Sequence, residues 1–214
     1  MPDVLLNSEE KPFSDMVDLV APDVPGCPDV VIERAILNAT RTFCQKSTWL
    51  RLHDIGPITP IVDVENYDFS ASLPALVEVV SILGAYQGKQ TLNPLPSSLI
   101  ARNKSLTATH FLHPGASHVG LYPIPMDAGL PVYLVVAIKP ALTATGAYSA
   151  LLDEFEQEIV HGAKAELKLQ PQPWRDVELA DYHMKEFRAG CGKALIRALR
   201  GNTGTGYRIS PEVF

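Results

Sequence analysis

The spacing of the apolar residues changes twice along this chain, and that change constrains the fold more than any other feature. Early in the chain, apolar residues recur at steps of four, three and four, as on one face of a helix: Ile32, Ile36, Ala39 and Phe43. After residue 48 the pattern becomes short apolar runs between glycines and prolines, of which 76–83 is the clearest strand. Helical spacing then returns at Tyr148, Leu152, Phe155, Ile159 and Ala163. Strands and helices are therefore segregated along the chain, which predicts an α+β fold.

The limits of these regions follow from residues typical of turns and helix ends. Pro28 and Asp29 suit the first turn of a helix. We expect a single domain over residues 1–214, in which an N-terminal helix and two long C-terminal helices form a bundle and a mostly antiparallel β region is inserted between them. The predicted segments are an extended arm at 1–27, the bundle at 28–47 and 147–200, the β-rich insertion at 48–140 and an extended C-terminal tail at 202–214.

Two of these segments carry patterns that predict which residues are buried. The run 132–138 is nearly all apolar, which predicts a strand with neighbours on both sides. The last helix, at about 176–200, has acids in its first turns and bases in its last, which complements the helix dipole. We expect its buried stripe to be Ala180, Met184, Phe187, Cys191, Ile196 and Leu199.

The charge is distributed unevenly and argues against nucleic-acid binding. The net charge is −6, and the first 30 residues hold seven acids and one base. Residues 31–214 are balanced, with 17 acids and 17 bases, so the chain has no basic field to bind a phosphate backbone. The three cysteines are widely spaced, which favours free thiols in a reducing compartment. The chain has no long apolar run and no signal-peptide pattern, so we expect no membrane association.

Residues that could support catalysis or metal binding are few. The nearest approach to a metal site is His110, His113 and His118, whose spacing does not match the tight four-ligand pattern of structural zinc. The favoured interpretation is a solvated loop between strands. The Gly-Lys pair at 88–89 lacks the spacing and the hydroxyl of a phosphate loop. One group of carboxylates completes no calcium-loop pattern: Asp63, Glu65 and Asp68. We therefore predict no catalytic residue, no metal site and no cofactor.

Two tryptophans and the C-terminal tail are the candidate binding residues. Trp49 follows the first helix and Trp174 precedes the last. Core packing is the favoured interpretation for both, and a subunit contact is the alternative. The tail carries isolated apolar residues among glycines: Tyr207, Ile209, Val213 and Phe214.

Two stretches of the sequence resemble a known group of virion proteins. The first is Pro25-Gly26-Cys27-Pro28-Asp29, followed by Ile32-Glu33-Arg34-Ala35-Ile36, Phe43-Cys44 and Trp49. The second is Pro173-Trp174-Arg175-Asp176-Val177-Glu178-Leu179-Ala180, followed by Phe187-Arg188-Ala189-Gly190. Together they resemble the head-to-tail adaptor family of tailed bacteriophages, the connector or tail tubular protein A-like proteins. The resemblance covers both helical regions, and the middle of the chain is similar only in being rich in strands.

The resemblance implies a structural role in the virion. It implies a ring of subunits, typically twelve, that docks under the portal protein, extends the DNA channel and offers a platform to tail or nozzle proteins. Genomic DNA would pass through the lumen without sequence-specific binding. The protein would lie at the head–tail junction, after assembly in the host cytoplasm. The terminal segments 1–24 and 202–214 would reach neighbours or the portal, with Tyr207, Ile209, Val213 and Phe214 entering pockets there.

Two other functions stay open at this point. One is another virion part, such as a tail-completion or terminator protein. The other is a small hydrolase or ligand-binding protein whose site would use His110, His113 and His118.

Overall fold

The computed structural model describes residues 9–96 and 103–200, and these fall into two compact units. The β-rich unit comprises the described residues up to Pro12 together with Leu50–Leu152. The helical unit comprises Phe13–Trp49 together with the described residues from Asp153 onward. The α+β class predicted from the sequence is confirmed.

Eleven strands are present in the described part of the chain, and seven of them form one sheet in the order β2-β10-β4-β5-β7-β8-β3. Two further pairs, β1–β11 and β6–β9, form small separate sheets. The strands are β1 (Glu10–Pro12), β2 (Arg51–Ile58), β3 (Asn66–Asp68), β4 (Val77–Gln87), β5 (Gln90–Pro94), β6 (Lys104–Ser105), β7 (His110–Gly115), β8 (His118–Tyr122), β9 (Ile124–Pro125), β10 (Val132–Pro140) and β11 (Gly146–Tyr148).

The strand β10 lies between two neighbours, as its nearly continuous apolar sequence predicts. It pairs antiparallel with β2 on one side and with β4 on the other. Alternate side chains of β10 are buried at Val132, Leu134 and Val136. Bulges interrupt the register with both neighbours, so the strands bend at these points.

The sheet has more strands and more varied pairing than the sequence predicted. Five of its six pairings are antiparallel, but β5 and β7 run parallel, so the sheet is mixed. A parallel pair cannot be joined by a tight turn, and the residues between β5 and β7 accordingly include β6. By contrast, β4 and β5 are joined by the tight turn that the sequence predicts at 87–89, where Gly88 takes a positive φ of 60°.

Five α-helices are present in the described residues: α1 (Val17–Val20), α2 (Asp29–Ser47), α3 (Ser149–Glu154), α4 (Glu156–Leu169) and α5 (Val177–Leu199). The helix α2 begins after Pro28 and ends at Thr48, which adopts a left-handed conformation. The helix α5 begins at Asp176, whose carboxylate accepts a hydrogen bond from the Leu179 amide at 3.0 Å. No helix in the described part of the chain is both long and apolar enough to cross a membrane.

The helix α4 packs against both α2 and α5, and small residues allow the close approach. Gly162 lies where the three helices meet, because a Cβ there would come within 2.9 Å of Ala39 in α2 and 2.8 Å of the Phe187 ring in α5. Beside this contact, the rings of Phe43 and Phe155 lie 4.8 Å apart. The interior of the helical unit therefore combines an aromatic cluster with tightly packed helix backbones.

The predicted extended arm at 1–27 is wrong over the residues that the structure describes. After β1, residues 13–16 form a 3-10 helix and 17–20 form α1. The apolar side chains of these turns are buried, and the spacing of Phe13, Met16, Val17 and Val20 is helical. Burial of this short amphipathic stripe stabilises the segment against the helical unit. Residues 1–8 lie outside the described part of the chain.

The buried stripe predicted for α5 is wrong at its C-terminal end. Phe187 and Cys191 are buried as expected, whereas Ile196 and Leu199 are 52% and 70% exposed. The buried positions there are taken by Ala194 and Ala198, which continue the three-then-four spacing from Cys191. Small residues bring this end of α5 close to its neighbours, so the larger aliphatic side chains face outward.

Candidate assembly surfaces

Both candidate tryptophans are half-buried within the helical unit. The Trp49 ring packs edge-on against Phe155, with centroids 5.1 Å apart. Trp174 lies in the loop between α4 and α5, whose end is fixed by the hydrogen bond from the Asp176 amide to the Lys168 carbonyl. Within the part of the chain that the structure describes, neither indole N–H reaches an acceptor. Packing inside the unit accounts for Trp49, and a subunit contact through either tryptophan remains a prediction.

The three candidate histidines of the β-rich unit, His110, His113 and His118, are not brought together as a metal site. His110 is bonded through Nδ1 to the Thr109 hydroxyl at 2.8 Å, and His113 through Nε2 to the Ala116 carbonyl oxygen at 2.9 Å. His118 begins β8 and is exposed. Among the described residues, no three histidines, cysteines or carboxylates are placed to share a metal ion. The apolar tail residues form the other predicted site, and Tyr207, Ile209, Val213 and Phe214 lie outside the described part of the chain.

The clearest exposed apolar surface lies on α5, directly opposite its buried face. At 100° per residue, the buried positions 180, 183, 187, 191 and 194 lie about 180° from positions 182, 189, 192, 196 and 199. We call the second set the outer stripe: Tyr182, Ala189, Gly192, Ile196 and Leu199, all of them exposed. A Cβ at Gly192 would meet no atom within 4 Å, so another chain could approach the helix closely there.

The C-terminal half of α5 is basic. Between Phe187 and Arg200 the helix carries four bases and no acid. Arg188 and Lys193 are exposed on either side of the outer stripe. Arg197 forms an ion pair with Glu154, within the same unit. From Ala189 to Leu199 the outer stripe is therefore apolar along its centre and positively charged along its edges.

The folded N-terminal segment presents the opposite charge. Residues 13–31 contain four aspartates and no base. With the apolar side chains of residues 13–20 buried, Asp15, Asp18 and Leu19 lie exposed on the other side of the same helical turns. We call these three residues the acidic ridge. Farther along, Val30 in the first turn of α2 is 76% exposed.

One aspartate of this segment is held inside the helical unit. The Asp23 carboxylate lies 2.6 Å from the Lys164 ammonium of α4. Burial raises the pKa of Asp23, but the hydrogen bond and charge of Lys164 oppose it and the net effect is a lowered pKa. Asp23 thus fixes the segment to α4, while Asp15 and Asp18 remain exposed.

A pair of histidines lies near this ion pair and was missed by the sequence analysis. The Nδ1 atoms of His161 in α4 and His183 in α5 are 2.7 Å apart. Burial, followed by the charges of His161 and Lys164, lowers the pKa of His183, against a smaller opposing effect of Asp23. The spacing of Ala180, His183 and Phe187 already places a histidine on the buried face of the helix, but the sequence analysis assigned Met184 there.

The β-rich unit has its own exposed apolar surface where three loops meet. The Asp63 amide donates to the Pro125 carbonyl at 3.0 Å, and the Met126 amide donates to the Ser105 carbonyl at 2.8 Å. The Lys104 ammonium lies 2.6 Å from the Asp63 carboxylate. These contacts hold together a set of exposed apolar neighbours, which we call the loop cluster: Ile61, Val62, Leu106 and Met126.

A groove of about 240 Å³ lies in the β-rich unit. Its lining includes Leu50, Leu76, Val77 and Tyr148, with the Glu10 carboxylate at one side. Burial, and then the charge of Glu10, raises the pKa of the Tyr148 hydroxyl. Most of the lining side chains are apolar, and Glu10 and Tyr148 are the polar ones.

Comparison with known proteins supports the view that the functional features of this chain are its surfaces. No curated protein sequence matches this chain significantly. A family model described as SU10 adaptor protein matches residues 11–209, which covers both units almost completely. This chain belongs to the SU10 adaptor protein family, a family of structural proteins that act as phage head–tail adaptors.

Proposed function

We propose that this protein forms a dodecameric ring between the portal and the tail, where it extends the DNA channel and provides the platform to which tail or nozzle proteins attach. The observation that carries the proposal is the family match over residues 11–209. The role is structural and uses no catalytic residue or cofactor. Assembly takes place in the host cytoplasm, and the finished ring belongs to the virion at the head–tail junction.

The helical unit suits the framework of such a ring. We infer that α2, α4 and α5 act as a bundle, because α4 packs against both other helices and Gly162 lies where the three meet. A close-packed interior resists deformation, so exposed faces of the unit keep a fixed geometry. A fixed geometry is what repeated contacts around a ring require.

The balance of charge suits a channel through which DNA moves. Residues 31–214 contain equal numbers of acids and bases. A lumen lined with bases would bind the phosphate backbone through counterion release. A chain without a large basic excess lets genomic DNA pass without sequence-specific binding.

The C-terminal tail is proposed to bind the portal. Residues 202–214 combine glycines with the apolar side chains Tyr207, Ile209, Val213 and Phe214. Aromatic and aliphatic side chains in a peptide of this kind can fill pockets on a partner, at the cost of ordering the peptide. Binding through the tail would make ring formation depend on the portal.

Imaging of the protein with and without its portal tests the proposed function. Electron microscopy of the mixture should show a closed ring bound to the portal, with a central hole wide enough for duplex DNA. The free protein need not form the ring, because the portal provides the template. Persistent monomers in the presence of portal would contradict the adaptor role. A ring found only at the far end of the tail would indicate a terminator protein instead.

Removal of the tail tests its role separately. Deletion of 202–214 should leave the far-ultraviolet circular dichroism unchanged and weaken binding to the portal, measured by co-sedimentation. A matched variant keeps the length but replaces Tyr207, Ile209, Val213 and Phe214 by serine, and it should bind as weakly as the deletion. Wild-type binding by both variants would exclude the tail as the portal contact.

A further inference from the structure

We propose that the outer stripe of α5 binds the acidic ridge of a second copy of this chain, so that each subunit contacts two neighbours through two different surfaces. The inference rests on the proposed ring and names the two surfaces that would build it. The outer stripe is Tyr182, Ala189, Gly192, Ile196 and Leu199, and the acidic ridge is Asp15, Asp18 and Leu19.

The outer stripe has the features of a helix face that is covered in the assembled state. Four of its members recur with the three-and-four spacing of a helix-packing seam, namely Ala189, Gly192, Ile196 and Leu199, and Tyr182 lies two turns earlier on the same face. Leu199 and Ile196 are among the more exposed large apolar side chains in the described residues, although α5 has a complete buried face on its other side. Exposed apolar residues arranged in a contiguous row mark an interaction site, whereas isolated ones do not.

Charge identifies the occupant as a second copy. The C-terminal half of α5 carries four bases and no acid, and residues 13–31 carry four acids and no base. Arg188 and Lys193 beside the outer stripe are exposed, as are Asp15 and Asp18. Leu19 adds an exposed apolar side chain beside the two aspartates, and Ile196 is an exposed apolar residue of the stripe. Two surfaces that combine exposed apolar side chains with opposite charges are complementary to each other.

Within the described part of one subunit, the N-terminal turns and α5 both pack on the same two helices and make no extensive contact with each other. The N-terminal turns pack on α2 and α4. The outer stripe points away from the buried face of α5, which packs on those same two helices. A contact between two different surfaces of identical chains is head-to-tail, and repetition of such a contact generates a ring when the rotation closes.

Reversal of charge on each surface tests the contact. In the full-length chain, Arg188→Glu with Lys193→Glu should weaken self-association roughly tenfold or more, because like charges then face each other. Asp15→Lys with Asp18→Lys should have the same effect. An equimolar mixture of the two double variants should recover association, since every contact in an alternating ring again pairs opposite charges. Association is measured by sedimentation velocity over a range of protein concentrations, both for the free chain and for the chain mixed with portal.

A matched control separates this contact from a general effect of net charge. Lys89→Glu changes the charge as Lys193→Glu does, but in the exposed turn between β4 and β5. It should leave association unchanged. Reversed variants that associate like the wild type, or a mixture that fails to recover, would overturn the inference.

Crosslinking distinguishes the head-to-tail contact from a two-fold pairing of α5 with α5. Chains with Leu19→Cys mixed with chains carrying Ile196→Cys should form mixed disulfide dimers. Chains with Ile196→Cys alone should not crosslink to each other, and efficient crosslinking among them would contradict the proposal.

The outcomes also separate this inference from the adaptor function. Portal-bound rings that form equally well with either double variant would exclude this contact and leave the adaptor role intact. A different outcome is that the wild-type chain forms no ring on the portal, while self-association of the free chain is lost in the double variants and recovered in their mixture. That outcome would support the contact and count against the adaptor role. A wild type that self-associates under neither condition would overturn both.

Discussion

The two units of this protein bury different kinds of side chain. In the described residues, the helical unit buries Thr40, Ser47, Lys168 and His183, whereas Gln87 is the buried polar side chain of the β-rich unit. Gln87 is bonded to the Leu130 carbonyl oxygen at 2.5 Å. The rest of the sheet interior is mainly aliphatic, with additional aromatic side chains. The helical interior instead combines aromatic rings, closely approaching backbones and ionisable groups.

This difference predicts that the stability of the two units responds to different changes. Buried polar groups stabilise a fold only while they keep their partners and their charge state. An aliphatic interior depends mainly on the volume that it fills. The helical unit should therefore respond to single methyl groups and to pH, and the β-rich unit mainly to loss of apolar volume.

Truncation of Phe43 should give the largest effect. Phe43 is fully buried between Phe155 and Phe187, with ring centroids at 4.8 and 6.4 Å. Phe43→Ala should lower the free energy of unfolding of the helical unit by about 3–5 kcal/mol. Leu134→Ala in the β-rich unit should cost about 2–5 kcal/mol. Native-state hydrogen exchange locates each loss, in α2 and α4 for the first variant and in β4 and β10 for the second. A loss below about 1 kcal/mol for Phe43→Ala would contradict the aromatic cluster as the centre of the helical unit.

Addition of one methyl group should show how closely the interior of the helical unit is packed. Gly162→Ala places a Cβ 2.8 Å from the Phe187 ring and 2.9 Å from Ala39. Overpacking of this kind costs about 1–3 kcal/mol, against a gain of about 1 kcal/mol in helix propensity. The net loss in denaturant unfolding should therefore be up to about 2 kcal/mol. The matched control is Gly192→Ala, where the Cβ meets no atom within 4 Å, and it should stabilise the chain by about 0.5–1 kcal/mol. Equal effects of the two substitutions would show that propensity, not packing, decides at Gly162.

The helices were the part of the fold that the sequence predicted best. The first helix, predicted at 28–47, spans Asp29–Ser47, and the last, predicted at 176–200, spans Val177–Leu199. The ends of these helices depend on local residues that can be identified in the sequence, such as Asp176, whose carboxylate caps the last helix. The break at Phe155 between α3 and α4 carries no such signal, because it has neither proline nor glycine.

The strand order and the surfaces were harder to predict because they depend on distant residues. The strands β5 and β7 pair in parallel. Neither sequence indicates which strand its neighbour will be. Ile196 and Leu199 fit an apolar stripe by spacing, but whether they face inward depends on how closely Ala194 and Ala198 let α5 approach its neighbours. The acidic segment was read as an extended arm because its helical turns are short and its charge dominates the composition.

The dependence of stability on pH should give the smallest effect and should arise in the helical unit. His183 faces His161, Lys164 and Lys168 of α4 and Asp23 of the N-terminal segment. Burial and the charges of His161, Lys164 and Lys168 lower the pKa of His183 in the folded protein, against the smaller opposing effect of the Asp23 charge, so the unfolded chain binds its proton more readily. Stability is therefore fully retained above the unfolded pKa, about 6.5, and declines as pH falls below that value towards the folded pKa. In chemical unfolding between pH 7.5 and 5.5, the free energy of unfolding of His183→Gln should decline less steeply with falling pH than that of the wild type. The difference in slope should correspond to about one titrating group. His53→Gln, an exposed position in β2, should leave the slope unchanged. A wild-type slope that persists in His183→Gln would assign the decline to other groups and remove the contrast in pH response between the two units.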